Sequence, residues 1–175
     1  NIGYSSDTDY LQKLCDSLSI PFTIKSFSVD LTAEKKKEIC FVCSWHRRKA
    51  IFEATRELSC NKLAFGHHMD DALETLFMNM IYHGSVSAMP YILSMFDDRV
   101  ELIRPLLELT NSELEKFASL REYRRELKIC PFAGSKRKEM AEFINQLETK
   151  HKHARKNIFR SLDNIYPEYL PKYHK

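Results

Sequence analysis

Glycine is scarce in this sequence: only Gly3, Gly66, Gly84 and Gly134 occur among its 175 residues. A glycine-rich phosphate-binding loop needs several glycines close together, because they let backbone amides approach the phosphate. The four glycines are too far apart along the chain for that purpose. The sequence as it stands therefore contains no glycine-rich phosphate loop.

Long apolar runs are also absent, and none approaches the ~20 residues needed to cross a bilayer. Residues 1–9 are polar and show no signal-peptide pattern. Hydrophobic residues make up 43% of the chain and charged residues 29%, which is ordinary for a globular protein. We therefore predict a cytoplasmic protein without a membrane partner.

The five cysteines are too few for a disulfide scaffold, and their odd number leaves at least one unpaired within the chain. In a reducing compartment, a close pair such as Cys40 and Cys43 more often serves a metal or redox role. A helix predicted at 44–58 follows this pair, and its N-terminus together with Arg47 and Arg48 would favour the thiolate forms. Zinc, a redox disulfide and an iron–sulfur cluster all remain open for this pair.

Helix and strand patterns alternate along the chain. Helices are predicted at 6–19, 44–58, from Asp70 or Asp71 onward, at 111–120 and at 136–165 (one helix or two), and strands at 22–29, 63–65 and 100–103. This alternation predicts an α/β fold in which helices cover a parallel sheet. Because such a sheet should not begin with a helix, we expect the first strand-and-helix unit to be absent from this sequence.

The segment GHHMDD at residues 66–71 lies where a predicted strand ends and a predicted helix begins. Open α/β sheets bind their ligands at such positions. Two imidazoles and two carboxylates side by side can hold Mg²⁺, orient a nucleotide or move protons. The alternative is that Asp70 only caps the helix and one histidine only satisfies a backbone group.

Basic residues are concentrated in residues 121–156, which contain eleven Lys and Arg but only five Asp and Glu. The pattern indicates either a surface for a polyanion or a solvated helix face. We divide the chain into a partial nucleotide-binding α/β domain at 1–120 and a basic, mainly helical extension at 121–175. The candidate phosphate contacts are Arg121, Arg124, Arg125, Lys128, Lys136, Arg137 and Lys138 in the extension, with Arg47 and Arg48 in the first domain.

Several segments together resemble the tRNA 2-thiocytidine synthetase family. They are CFVCSWHRR at 40–48, LAFGHHMDDALETLFMNMIYHG at 63–84 with SAMP at 87–90, IRPL at 103–106, and CP at 130–131. This family is a branch of the pyrophosphate-loop ATPases and is related to the tRNA-isoleucine lysidine synthetases. The lysidine branch shares the GHH and DD elements but lacks this CxxC before paired arginines, which favours the thiolating branch.

The resemblance implies an adenine nucleotide alpha hydrolase-like fold and an ATP-dependent enzyme. Such an enzyme would adenylate the C2 carbonyl of a cytidine in the tRNA anticodon loop, and sulfur would then displace AMP. The implied cofactors are ATP, Mg²⁺ and a 4Fe–4S cluster with one open iron that could carry sulfide. The implied partners are tRNA and a sulfur donor such as a cysteine desulfurase, with a homodimer as a further possibility.

The resemblance also assigns roles to individual residues. It implies that Cys40, Cys43 and Cys130 hold the cluster and take part in catalysis. Two more groups follow from the matching GHHMDD block: Asp70 and Asp71 as catalytic residues, and Gly66, His67 and His68 as cofactor-binding residues.

Two departures from the family pattern matter. Where many relatives have a second CxxC, this sequence has CPFA at 130–133, which fits a three-cysteine cluster and argues against a Cys₄ zinc site. The family's SGGKDS-type phosphate loop is missing, and we expect it to precede Asn1, so that the chain as written does not bind ATP productively. The alternatives are a relative that adenylates another RNA base or small molecule, and a non-catalytic zinc- or cluster-containing RNA-binding module.

Overall fold

The computed structural model of the chain describes residues 7–28, 39–124 and 135–171, with the backbone alone at Ile39, Cys40 and Ser135. Helices and strands alternate in these parts, which confirms the predicted α/β class. The elements are α1 (Thr8–Ser17), α2 (Ile39–Glu57), β1 (Lys62–Ala64), α3 (Met69–His83), β2 (Ile92–Met95), β3 (Val100–Ile103), α4 (Asn111–Leu120), α5 (Ser135–Lys150), α6 (Ala154–Ser161) and a 3₁₀ turn (Pro167–Tyr169).

The three strands form one mixed sheet in the order β1–β3–β2. β1 runs parallel to β3, with Lys62 opposite Glu101, as the α/β pattern predicts. β2 pairs with β3 as an antiparallel hairpin, which the sequence did not indicate. Its turn, residues 96–99, contains neither glycine nor proline, and these residues are the usual hairpin signal.

The strand predicted at 22–29 is wrong over its described part, because residues 22–28 form no strand. Alternation of apolar and polar residues is a property of one segment, whereas a strand also requires a partner for its ladder of hydrogen bonds. No strand pairs with this segment among the described residues. Lys25 instead forms an ion pair with Glu57, the last residue of α2.

Two helix boundaries differ from the sequence pattern. α2 begins at Ile39, five residues before the predicted start, and therefore contains Cys40 and Cys43 in its first turns. The segment 136–165, predicted as one helix or two, forms two helices, α5 and α6. The break lies at residues 151–153, where His153 adopts the left-handed conformation with φ of 70°.

The described residues group into two compact units, each built from three separate parts of the sequence. The first unit lies within Asn1–Ala64, Ile92–Ile103 and Phe117–Gly134, and contains the sheet with α1 and α2. The second lies within Phe65–Tyr91, Arg104–Lys116 and Ser135–Lys175, and contains α3, α5 and α6. The division into domains at residue 120 stays a prediction.

The core of the second unit is formed by one face of α3 packed against α5 and α6. Met69, Leu73 and Leu76, spaced by four and three residues, lie against Ile144, and all four are at most 4% exposed. Burying each of these side chains contributes about 1.5–3 kcal/mol. Because α3 begins with the MDD residues of the GHHMDD segment, this packing fixes the position of both aspartates.

In the first unit, Val42 of α2 and Leu102 of β3 are buried. Val42 lies between the two cysteines in sequence, so its burial fixes the turn of α2 that carries them. No helix in the described parts of the chain is long and apolar enough to cross a membrane.

Candidate functional site

The acidic residues at the start of α3 have different roles. Residues 65–68 connect β1 to α3, and His68 precedes the helix in an extended conformation. The Oδ2 atom of Asp71 accepts a hydrogen bond from the backbone N–H of His68 at 3.1 Å. Asp71, rather than Asp70, therefore satisfies the backbone at the start of its own helix.

Asp70 binds two groups distant in sequence. Its Oδ2 atom accepts a hydrogen bond from the backbone N–H of Asn111 at 2.7 Å, at the N-terminus of α4, where a negative charge is favoured. Its Oδ1 atom accepts one from Nε of Arg155 in α6 at 2.9 Å. The side chains of Asp70 and Arg155 are only 15% and 18% exposed, so this ion pair is largely shielded from water.

Arg137 of α5 binds two carboxylates of α3. Its Nη1 atom lies 3.1 Å from Oδ1 of Asp71, and its Nε atom lies 3.5 Å from Oε2 of Glu74. Burial raises the pKa of Glu74 to about 7, although Arg137 opposes the shift. Sequence reasoning missed Glu74, yet its position three residues after Asp71 places both side chains on one helix face. The phosphate contact assigned to Arg137 stays a prediction.

The two histidines present unpartnered nitrogen atoms. Nδ1 of His67, Nδ1 of His68 and Nε of Arg104 are buried and have no hydrogen-bond partner in the described parts of the chain. Nδ1 of His68 lies 3.7 Å from Oδ2 of Asp70, which is beyond hydrogen-bond distance. Each such orphaned atom costs about 1–3 kcal/mol. A polar ligand bound at this point would satisfy these atoms.

Burial lowers the pKa of His67. The charges of Arg104, Arg137 and His68 act in the same direction, and only Asp71 opposes them. The imidazole of His67 is therefore neutral near pH 7, and it offers a ligand one hydrogen-bond donor and one acceptor instead of a positive charge.

These residues fit a polar ligand such as a nucleotide. A Cβ atom placed on Gly66 would meet nothing within 4 Å, so a ligand can approach the backbone there. Asp70 and Asp71, in contrast, are already bound by guanidinium groups. No group of three or more His, Cys, Asp or Glu side chains among the described residues could hold a metal ion. The Mg²⁺ ion expected here stays a prediction.

The structure places two of the three predicted cluster ligands. Cys40 and Cys43 are three residues apart in α2, and only the backbone of Cys40 is described. Cys43 is a partly exposed, free thiol, and Cys130 lies outside the described residues. Thiolates are the ligands that iron–sulfur clusters require. The free thiol of Cys43 fits this chemistry, and the three-cysteine set stays a prediction.

The predicted RNA contacts lie in several environments. Arg124 forms an ion pair with Asp7 at 2.6 Å, and Lys138 lies 3.8 Å from Glu142. Arg47 and Arg48 line different cavities of the first unit. Lys136 lies over the ring of Tyr82, and Arg121 over that of Phe117. Arg125 and Lys128 fall outside the described residues. All these RNA contacts stay predictions.

Comparison with known proteins identifies the class. The model of the PP-loop (pyrophosphate-loop) domain family matches residues 4–126. The chain therefore belongs to the PP-loop domain family, as its sequence segments indicated.

Two curated relatives are tRNA-cytidine(32) 2-sulfurtransferases. The chain is 34% identical over 168 residues to that of Paraburkholderia phytofirmans, which covers 91% of the chain and 49% of the relative. It is 36% identical over 140 residues to that of Sorangium cellulosum, which covers 78% of the chain and 49% of the relative. The chain thus spans about half the length of these relatives.

A solved structure shares the fold. It is the U34-tRNA thiolase NcsA from Methanococcus maripaludis, described with its 4Fe-4S cluster, and it matches with a TM-score of 0.75 at 24% identity. The match covers 98% of this chain and 60% of the thiolase chain. At this level of identity the match shows the fold alone, and it confirms the α/β PP-loop architecture.

The raised pKa of Glu74 predicts how stability depends on pH. Folded Glu74 holds its proton more tightly than unfolded Glu74, whose pKa is 4.5, so its protonation stabilises the fold most below pH 4.5. That stabilisation is lost as the pH rises through about 7. Relative to Glu74→Gln, the free energy of unfolding of the wild type should fall by about 1–3 kcal/mol from pH 4.5 to pH 8.

Urea unfolding at a series of pH values measures this difference. Glu139→Gln, which removes an exposed carboxyl group from α5, is the matched control and should show no comparable change. A difference between wild type and Glu74→Gln that does not vary with pH would contradict the raised pKa.

The shielded pair of Asp70 and Arg155 should be energetically coupled. A double-mutant cycle of Asp70→Asn and Arg155→Gln is expected to give a coupling free energy of about 1–3 kcal/mol in urea unfolding. Lys138 and Glu142, an exposed pair on α5, should give about 0.5 kcal/mol or less in the same assay. Equal coupling in the two pairs would show that shielding from water does not strengthen the Asp70 pair.

Proposed function

We propose that this chain belongs to a tRNA-cytidine 2-sulfurtransferase, an ATP-dependent enzyme that replaces the C2 oxygen of a cytidine in the anticodon loop with sulfur. The observation that carries the proposal is the CxxC pair in the first turns of α2, in a PP-loop chain similar to sulfurtransferases over most of its length. The second support is that Nδ1 of His67 and Nδ1 of His68 are buried and have no hydrogen-bond partner among the described residues, because a polar ligand would satisfy them.

The reaction balances in two steps. The C2 oxygen of cytidine attacks the α-phosphorus of ATP and releases pyrophosphate. The C2 oxygen, by itself a poor leaving group, can then leave as part of AMP, which is a good one. Sulfur then attacks C2 and expels AMP, so that a C=O bond has become a C=S bond. No redox change of the base is required, but the sulfur must arrive at the oxidation level of sulfide. We propose a cysteine desulfurase as its source, and the persulfide sulfur that such an enzyme delivers must then be reduced by two electrons from an external thiol reductant.

The residues of the GHHMDD segment would bind and orient in this scheme. Neutral His67 can donate to or accept from the nucleotide or the base without adding a positive charge. Asp70 and Asp71 hold Arg155 and Arg137, so we assign both aspartates a positioning role for the adjacent histidines. The direct catalytic role of Asp70 and Asp71 that the sequence indicated stays a prediction.

Cys40, Cys43 and Cys130 would hold a 4Fe–4S cluster. When bound, a cluster with three protein ligands supplies an open iron position for sulfide. The first turns of α2 fix the two placed cysteines relative to each other, and the burial of Val42 between them holds that turn against the fold. We propose that the enzyme acts on tRNA in the cytoplasm.

Deletion of the gene that encodes this chain tests the function. Mass spectrometry of tRNA nucleosides should show that 2-thiocytidine is lost in the deletion strain and restored by the wild-type gene. Cys43→Ser should fail to restore it, whereas Cys60→Ser, which changes another free thiol, should succeed. Unchanged 2-thiocytidine in the deletion strain would rule the function out and leave a PP-loop enzyme with another acceptor.

Iron and sulfide analysis tests the cluster separately. Anaerobically reconstituted wild-type chain should contain about four irons, and Cys130→Ala and Cys43→Ser should lose most of them. Cys60→Ala should retain the wild-type iron content. Bound zinc, or an iron content indifferent to Cys130, would contradict the proposed ligand set even if the chain belongs to a thiolating enzyme.

A further inference from the structure

A second cluster of functional side chains lies on α2, beyond the cysteines. Six residues with spacings of three and four share one helix face. They are Trp45, Arg48, Lys49, Phe52, Glu53 and Arg56. Together with Phe96 and Arg99 of the β2–β3 turn and Val100 of β3, they line a cavity of about 660 Å³, all within the first unit. We call this cavity and its lining the α2–hairpin surface.

Aromatic rings are exposed on this surface. Trp45 is 48% exposed and Phe96 is 57% exposed. Phe96 adopts the left-handed conformation, with φ of 57°, which costs a bulky residue about 1–2 kcal/mol. Its ring packs edge-to-face against that of Phe52, with the ring centres 5.3 Å apart, and both rings line the cavity. Asp97 and Asp98 adopt the same conformation, with φ of 56° and 63°, so this strain belongs to the turn as a whole.

Positive charges surround these rings. Four cations line the surface, namely Arg48, Lys49, Arg56 and Arg99, against the single acid Glu53. Nζ of Lys49 lies 5.6 Å from the centre of the Trp45 ring, over its face. Asp97 and Asp98, in the same turn as Phe96, do not line the cavity.

The combination of rings and cations favours one class of ligand. Proteins that bind single-stranded RNA use aromatic rings on which bases stack, beside cations that follow the phosphates. Interfaces between proteins are also enriched in aromatic residues and Arg. A protein partner would need several acidic groups to match these cations, however, whereas each nucleotide of an RNA carries a phosphate. A surface on which four cations and three aromatic rings are described therefore matches unpaired RNA in charge and in its capacity to stack bases.

We propose that the α2–hairpin surface binds single-stranded RNA, with bases stacked on Trp45 and Phe96 and phosphates in contact with Arg48 and Arg99. The proposal rests on the function proposed above, because it adds a second contact surface for RNA to an enzyme whose proposed substrate is a tRNA. Trp45 follows Cys43 by two residues, which is about 200° around the axis of α2, so this surface and Cys43 lie on different sides of the helix. RNA bound here would therefore contact the chain away from Cys43.

Trp45 makes this surface directly observable. It is the only tryptophan in the sequence, so the tryptophan fluorescence of the 175-residue chain reports on this surface alone. A single-stranded RNA oligonucleotide with a cytidine-containing anticodon-loop sequence should quench this fluorescence to saturation. A duplex RNA of the same length should quench it much less, because its bases are already stacked in the helix.

Variants then locate the contacts. Phe96→Asn removes the ring while keeping a residue that tolerates positive φ, and it should weaken binding about 5- to 100-fold. Arg99→Gln should reduce the slope of log K against log salt by about 0.7, the value for one phosphate contact on a single strand. Tyr169→Ala removes a ring that is 84% exposed in the second unit, and it should bind as wild type does. Unchanged circular dichroism spectra would show that the variants fold.

Other outcomes would overturn the proposal. Anisotropy of labelled RNA that shows binding without Trp45 quenching, and equal affinity for Phe96→Asn, would place the RNA elsewhere. A fluorescence change that depends on protein concentration without RNA, with dimers in sedimentation, would make this surface a contact between copies of the chain. Absence of RNA binding would also overturn the proposal. The proposed function is tested separately, by the 2-thiocytidine content of the deletion strain.

Discussion

The second unit depends on the neutralisation of acids at the start of α3 by arginines from the two C-terminal helices. Arg155 binds Asp70, and Arg137 binds both Asp71 and Glu74. These carboxylates are largely shielded from water, and a shielded charge left without a partner costs several kcal/mol. The motif at residues 66–71 therefore cannot keep this arrangement by local interactions alone. Its geometry requires α5 and α6, which also close the apolar core over α3.

This constraint explains why the polar groups of the motif differ in their surroundings. The carboxylates are satisfied by arginines and backbone amides, while Nδ1 of His67 and of His68 have no partner among the described residues. The satisfied groups determine the structure, and the unsatisfied groups are those that a ligand can bind. An imidazole kept neutral by burial and by nearby cations suits hydrogen bonding to a nucleotide or a base.

Helix α2 combines two further properties in the first unit. Its first turns carry Cys40 and Cys43, and its following turns carry the rings and cations of the α2–hairpin surface. A helix holds both groups at fixed spacing, since each residue advances by the same rise and rotation. Arg47 lines a different cavity from its neighbour Arg48, because adjacent residues on a helix point about 100° apart. The paired arginines of the CxxC segment therefore cannot be treated as one cationic patch.

The sequence by itself determined the α/β class, most helix positions, the PP-loop resemblance, the CxxC pair and the GHHMDD motif. All of these are local patterns of spacing or residue type. Only the tertiary structure decided that residues 22–28 form no strand, that β2 pairs with β3, and that Arg155 binds Asp70. It also raised the pKa of Glu74 and placed Phe96 against Phe52. The physical reason is that each of these outcomes depends on a partner or on burial: Asp70 and Arg155 are 85 residues apart, and no periodicity encodes a contact over that separation.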